Sequence, residues 1–282
     1  MIPYFTITMC EGFGCNAVGV TGCRIIDSPR ERLIAIITNS LVPCNGRLPV
    51  MMVVISLFLT ASAAGCAAIL TGAIILGVAA TLVISRLLSA TFLKGEPSFF
   101  TIELPPYRTP QPLKIIVRSF CDRGIFILGR AVCAAMPAGL IIWLMTNITL
   151  GGAPLIGLIS RYLDPVGRFM GLDGVILLAF ILSMPANELC LPMIFTIYTC
   201  SGMITAPTDT VGLHALLLSY GWTWVTAVNT VIFSLMHWPC LTTVLTIKKE
   251  TGSMKWTLLS VLLPTAAGFI LCAVINFASV LL

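Results

Sequence analysis

Charge is scarce in this chain. Asp, Glu, Lys and Arg make up 10% of its 282 residues, against roughly 25% in a soluble domain. So little charge excludes a globule that solvates itself, and the +5 net charge is too thinly spread to read as nucleic-acid binding. A phosphate loop of the form GxxxxGK[ST] is also missing from these residues, so no nucleotide-hydrolysing site of that type is expected here. Histidine occurs only twice, and no nucleophile–base pair or closed zinc set can be assembled, which argues against an enzyme. Cysteine is plentiful but odd in number, at 11. Cys66, Cys133 and Cys272 fall in apolar runs, the usual place of small core residues and not of a disulfide framework. The first residues lack a basic leader before an apolar core, and Glu11 interrupts them, so no signal peptide is expected.

What is present is hydrocarbon. Hydrophobic residues make up 58% of the chain and mean hydropathy is +1.03. Runs 66–85 and 256–282 reach the roughly 20 residues a helix needs to cross a bilayer. The expected fold class is all-α, a polytopic membrane protein. Basic residues cluster at 24–32, 86–130 and 248–255, the places that the positive-inside rule assigns to the cytoplasm.

Breakers divide the apolar runs. Residues 1–26 are interrupted at Glu11-Gly12-Phe13-Gly14 and read as a re-entrant hairpin. Residues 33–64 are too long for one straight span and break at Pro43-Cys44-Asn45-Gly46-Arg47. A neutral turn near Gly65 leads to the span 66–85. A proline-rich link follows, then a stretch, 113–123, with Leu113, Ile116, Val117 and Phe120 on one face and Lys114 and Arg118 on another. That pattern suits a helix lying in the cytoplasmic interface. Residues 124–146 read as a span and 147–173 as a glycine-rich connection. A second hairpin, 174–200, breaks at Pro185-Ala186-Asn187-Glu188. Residues 201–221 carry no Lys or Arg, 222–247 break again at Pro239-Cys240, and 256–282 closes the chain. The domains expected are 1–91, a first gate half; 92–124, a cytoplasmic linker; 125–173, a span and external connection; and 174–282, a second gate half. Matching elements with exchanged basic loops read as two inverted-topology halves, with the N-terminus cytoplasmic and the C-terminus external.

The breaks are where chemistry is expected. Lipid offers no partner to freed backbone groups, so an interrupted helix must line a cavity or bury its break in protein. Gly12, Gly14, Pro43, Gly46, Pro185 and Pro239 are expected to hold these breaks and permit gating. Beside them lie Cys15, Asn16, Cys44, Glu188 and Cys240. A carboxylate inside an apolar segment needs a partner, a proton or a cation. Thiolate, amide oxygen and carboxylate together suit a borderline transition metal better than Mg²⁺ or Ca²⁺. The duller readings are buried thiols for the cysteines and a helix cap or arginine pair for Glu188. Arg47 would repel a cation and is expected to bind exposed carbonyls. His237 is expected at an interface beside Trp238. Met184, Met203 and Met236 read as packing residues, and His214 carries no hypothesis.

These motifs, taken in order, resemble the membrane part of the bacterial ferrous-iron transporter family FeoB. They are Gly12-Phe13-Gly14-Cys15-Asn16; 27–33 running into Pro43-Cys44-Asn45-Gly46-Arg47-Leu48-Pro49; Glu103-Leu104-Pro105-Pro106-Tyr107-Arg108; the acid stretch ending at Glu188; and Pro239-Cys240 leading into 249–256. The resemblance implies a gated Fe²⁺ path in the bacterial cytoplasmic membrane. Cys15, Cys44, Cys240 and Glu188 would stand at the family's gate positions, and the Glu103–Arg108 motif would be a cytoplasmic interfacial element. It also implies GTP bound only by a separate G domain, on another chain or in a missing region, with a small cytoplasmic accessory protein and a homo-oligomer as further partners. Two departures stand out. Ala17-Val18 replace the family's Val-Pro, and Asn187 replaces its gate lysine. Other readings are a non-transporting scaffold subunit, or a permease for a nucleoside-like solute.

Overall fold

A computed structural model describes residues 2–60, 62–91, 111–150, 153–199 and 210–281. Helix α1 (Ile2–Gly14) packs against α2 (Asn16–Gly22), and the chain is extended only at Cys15, φ −153° and ψ 122°. The hairpin therefore turns at Cys15, not at Glu11–Gly14 as expected. Gly12 stays helical, at a cost of about 1 kcal/mol relative to alanine, because the Asn39 side chain presses against it: a Cβ there would sit 2.7 Å from Asn39 Oδ1.

Helix α3 (Pro29–Thr38) starts on a Ser28 cap that accepts from Glu31 N, with Pro29 at its first position, where the missing N–H costs nothing. It tightens into a 3₁₀ turn, Asn39–Leu41, and runs extended through Val42 to Cys44. A second 3₁₀ turn, Asn45–Arg47, then leads into α4 (Leu48–Val54) and a π turn, Ile55–Leu59. Helix α5 (Ala63–Thr91) begins before Gly65, so the neutral turn lies earlier than expected and the span is longer.

Helix α6 (Pro112–Ser119) is the amphipathic stretch. It continues through a π turn, Phe120–Ile125, into α7 (Phe126–Asn147), which occupies the stretch expected to span. The Glu103–Arg108 motif and Met203 lie outside the described residues.

The described residues of the stretch expected as a connection, 147–150 and 153–173, are ordered into regular elements. A two-residue ladder pairs Thr149–Leu150 with Ala153–Pro154, and α8 (Leu155–Phe169) follows it. It bends by 109° into α9 (Gly174–Leu182). The bend needs glycine: Gly171 takes φ +68°, and a Cβ on Gly174 would fall 1.9 Å from Ser160 O. After a turn at Ser183–Ala186 and a 3₁₀ turn, Asn187–Leu189, come α10 (Cys190–Thr199), α11 (Thr210–Ser219), α12 (Trp224–Met236), α13 (Leu241–Thr251) and α14 (Met254–Leu281). The chain is irregular from His237 to Cys240, as expected from Pro239.

Among the described residues, Pro29–Leu59, Ala63–Thr91, Trp224–Thr251 and Met254–Leu281 are long and apolar enough to cross a membrane, and the bent α8–α9 pair could add a fifth span. Long apolar side chains on α5 and α14, among them Ile75, Val83, Leu262 and Val274, lie exposed, as lipid-facing residues must. The interior is built from Phe180, Phe195, Phe233, Ile176 and Met193. Phe180 meets Phe233 edge-on at 5.0 Å.

Two polar ends bracket this interior. Arg24 binds Glu250 in a fork, Nε at 2.8 Å and Nη2 at 2.7 Å, so the basic turns after α2 and α13 lie together. At the other end, Asn276 donates to Arg168 O and Phe169 O, and Asn229 to Met170 O. Along α14, residues 254 to 276 span 22 rises of 1.5 Å, or roughly 33 Å, close to the thickness of a bilayer's hydrocarbon core.

Candidate functional site

The four interruptions meet one another. Arg47, in the first broken span, is 1% exposed, and its guanidinium reaches the second. Nη1 donates to Leu235 O at 2.7 Å and to Ser40 O at 3.2 Å. Nη2 donates to His237 O at 3.0 Å and to Trp238 O at 3.3 Å. Three of these carbonyls end α12 or follow it, where the proline break removes helical partners. Arg47 thus satisfies in one contact what neither break can satisfy alone, and it binds carbonyls as expected. It also stands within electrostatic range of Cys44 and Cys240.

Asparagine does the same work at the first hairpin. Asn39 Nδ2 donates to Asn16 O at 2.9 Å, and its side chain lies where a Cβ on either Gly12 or Gly19 would fall, 2.7 Å from Oδ1 in both cases. The Asn16 amide, turned to satisfy both acceptors, donates to Gly12 O at 3.0 Å and Val42 O at 3.2 Å. Its nitrogen is thereby committed.

The second hairpin closes the junction. Leu241 N donates to Met184 O at 2.8 Å, so the hairpin's turn takes the first N–H after Cys240. Asn187 Nδ2 lies 4.0 Å from Cys44 Sγ. Glu188 is exposed and rests against Gly46, where a Cβ would meet its Cγ at 3.4 Å. Cys240 Sγ touches the Thr242 and Thr243 hydroxyls at 3.0 and 3.1 Å. Cys15 is within electrostatic range of both Cys240 and Cys44. All the sequence-picked site residues thus gather around this junction: Cys15, Asn16, Cys44, Glu188 and Cys240, with Pro43, Gly46, Pro185 and Pro239 at the breaks. Gly14 ends α1 with open space beside it. Gly12 is a packing glycine and not a break.

Among the described residues no group of three or more His, Cys, Asp or Glu stands as a ready metal set.

Asn39, His237, Thr242 and Thr243 went unremarked or misread in the sequence. Asn39-Ser40 is a polar pair inside an apolar run, which was a readable signal. His237 is not at an interface: it is 1% exposed, with its ring 5.0 Å from that of Phe180. His214, without a partner in the sequence, sets its ring edge against Phe58 at 5.1 Å.

A bundle whose long apolar helices break inside the protein, with their freed carbonyls capped from the opposite broken helix, keeps irregular backbone away from lipid, as the membrane domains of transporters do. The comparisons narrow this class. The chain resembles the C-terminal membrane domain of the ferrous-iron transporter FeoB. The profile described as "Ferrous iron transport protein B C terminus" matches residues 70–121, and that described as "Gate: Nucleoside recognition" matches 128–254. A relative named "Fe(2+) transporter FeoB" from Staphylococcus aureus is 27% identical over 94% of this chain and 39% of its own length. One of the same name from Methanocaldococcus jannaschii is 24% identical over 96% of this chain and 40% of itself. A Porphyromonas gingivalis relative, named a fusion of Fe(2+) transport protein A with FeoB, is 24% identical over 91% of this chain and 35% of itself. The chain therefore spans about two fifths of the length of these relatives. No solved structure matches it.

Proposed function

We propose that this chain is the membrane permease domain of a ferrous-iron transporter, and that Fe²⁺ crosses at the junction of the four breaks. The observation that supports the reading is that the cysteine-bearing breaks are tied together: Arg47 bonds the break at Cys44 to the one before Cys240, Asn39 bonds the turn after Cys15, and Asn187 approaches the Cys44 thiol. Thiolates and the exposed Glu188 carboxylate would strip and replace part of the ion's hydration shell, and the Asn16 oxygen would add a neutral donor. Fe²⁺ accepts sulfur where Mg²⁺ does not, so the donor set also supplies selectivity. Arg47 keeps its positive charge turned into carbonyl dipoles, which lowers its repulsion of the cargo.

The two halves, 1–91 and 174–282, with 92–124 and 125–173 between them, act in this reading as inverted repeats. The paired basic turns at Arg24 and Glu250 support a common cytoplasmic side. A GTPase acting in trans or in the same polypeptide, and a small accessory protein, are the partners in this reading; the relatives' names and greater length support it. The bacterial cytoplasmic membrane is its place. The description of the 128–254 match favours one rival, a nucleoside-like solute.

Uptake of Fe²⁺ into vesicles bearing the protein tests this. Flux in the parent, unaffected by excess nucleoside and lost in Cys44→Ser, Cys240→Ser and Glu188→Gln, is the expected result. Iron flux unchanged in all three variants removes the ligand assignment. Nucleoside uptake that Fe²⁺ does not affect favours the rival, and a stable chain with no flux of either favours the scaffold.

A further inference from the structure

Seven buried side-chain atoms lack a hydrogen-bond partner among the described residues, and five belong to the junction: Ser40 Oγ, Arg47 Nε, Asn187 Oδ1, His237 Nε2 and Trp238 Nε1. Arg47 Nε and Trp238 Nε1 can only donate, whereas Ser40 Oγ, Asn187 Oδ1 and His237 Nε2 each hold a lone pair that a cation could use.

His237 is the most informative of the five. Its Nδ1 lies 2.9 Å from Ser234 O and 3.2 Å from Phe233 O. Carbonyls only accept, so Nδ1 must carry the ring proton. The tautomer is therefore fixed, and Nε2 presents a bare lone pair. A neutral imidazole whose far nitrogen is held by a backbone carbonyl is the usual form of a metal-binding histidine. His237 also sits three residues before Cys240, and its own carbonyl is held by Arg47. Asn187 Oδ1, a second orphaned acceptor, is carried by the residue that approaches Cys44 and stands next to Glu188.

We propose that His237 is a further ligand of the transported cation, coordinating through Nε2, and that Asn187 Oδ1, on the residue that approaches Cys44, is a neutral oxygen donor on the same path. This deepens the function proposed above and rests on it. In the present conformation Nε2 is inaccessible even to water, so the site forms as the two breaks part. Imidazole and amide oxygen are neutral donors, so this station holds a divalent ion less tightly than the thiolates and lets it move on.

The test uses purified protein, titrated anaerobically with Co²⁺ and, separately, loaded with Fe²⁺ and nitric oxide for electron-spin-echo spectroscopy. The parent should show thiolate-to-cobalt absorption and imidazole-nitrogen modulation. His237→Phe, which keeps the aromatic packing, should lose the modulation, keep the thiolate absorption and bind Co²⁺ at least about tenfold more weakly, since even outer-shell partners of a metal are worth that much. His214→Phe should match the parent. His237→Gln replaces the phenylalanine variant should that one fail to fold. Modulation that survives in the His237 variants, or Co²⁺ affinity equal to the parent's, overturns the inference and leaves the proposed function standing. A folded parent that binds neither metal overturns both.

Discussion

Replacing Arg47 by methionine should weaken the whole bundle. Four hydrogen bonds run from one buried guanidinium to Ser40, Leu235, His237 and Trp238. Bonds to a charged donor are worth about 1.5–3 kcal/mol each, but removing the cation also returns its own desolvation cost. Breaking a buried charged network costs a net of about 3–5 kcal/mol, and methionine leaves four carbonyls without a donor in an apolar setting. At roughly 2–4 °C per kcal/mol for a domain of this size, the midpoint should fall by about 6–20 °C. Lysine should recover only part of this loss. Its three donors radiate from one atom and cannot fork to four carbonyls on two segments. The assay is built into the chain: Cys23, Cys44, Cys190 and Cys272 are buried, so a thiol-reactive fluorophore reports unfolding in detergent. A methionine variant as stable as the parent, or a lysine variant with full recovery, would refute the idea that this fork ties the two breaks together.

Further outcomes follow from other contacts. Gly19→Ala would drive a methyl to 2.7 Å from Asn39 Oδ1 and should cost about 1–3 kcal/mol, seen as a lower midpoint, whereas Gly14→Ala, with open space around it, should be neutral. Glu250→Gln should change stability by no more than about 1 kcal/mol, because Arg24 is 63% exposed and such pairs are screened. Tyr198→Phe should cost about 1–3 kcal/mol, since its hydroxyl donates to Asp173 and accepts from Trp222 Nε1 at 2.8 Å. Burial raises the Asp173 carboxyl above its ordinary range. Its contribution to stability should therefore be complete below the usual value of about 3.9 and fade as pH rises through the raised one. Asp173→Asn should flatten that part of a midpoint-against-pH profile.

The membrane class, the four interruptions and the thiols beside them were legible because each rests on local chemistry. Proline strips a helical donor, and an apolar run that is too long must bend. The misplaced turn of the first hairpin shows where local rules stop: Gly12 reads as a breaker until Asn39, 27 residues on, is seen to require it. Helix α8 was hidden for a related reason. Its Gly157, Pro165 and Gly167 look like loop punctuation, yet Gly167 is where the Asp173 backbone approaches, a Cβ there falling 2.6 Å from its carbonyl carbon. Arg47's preference for carbonyls could be argued from charge, but the partners lie about 190 residues away, at Leu235 and His237. His237 was misread because an interfacial histidine and a buried one look alike until the ring's neighbours are known.

X-ray absorption at the iron edge, on protein loaded with Fe²⁺ in vesicles, tests the central claim most directly. The account predicts sulfur back-scattering near the metal in the parent, at about 2.3 Å as for metal–thiolate bonds generally, diminished in both Cys44→Ser and Cys240→Ser. A first shell of oxygen and nitrogen alone, unchanged in either variant, would contradict it.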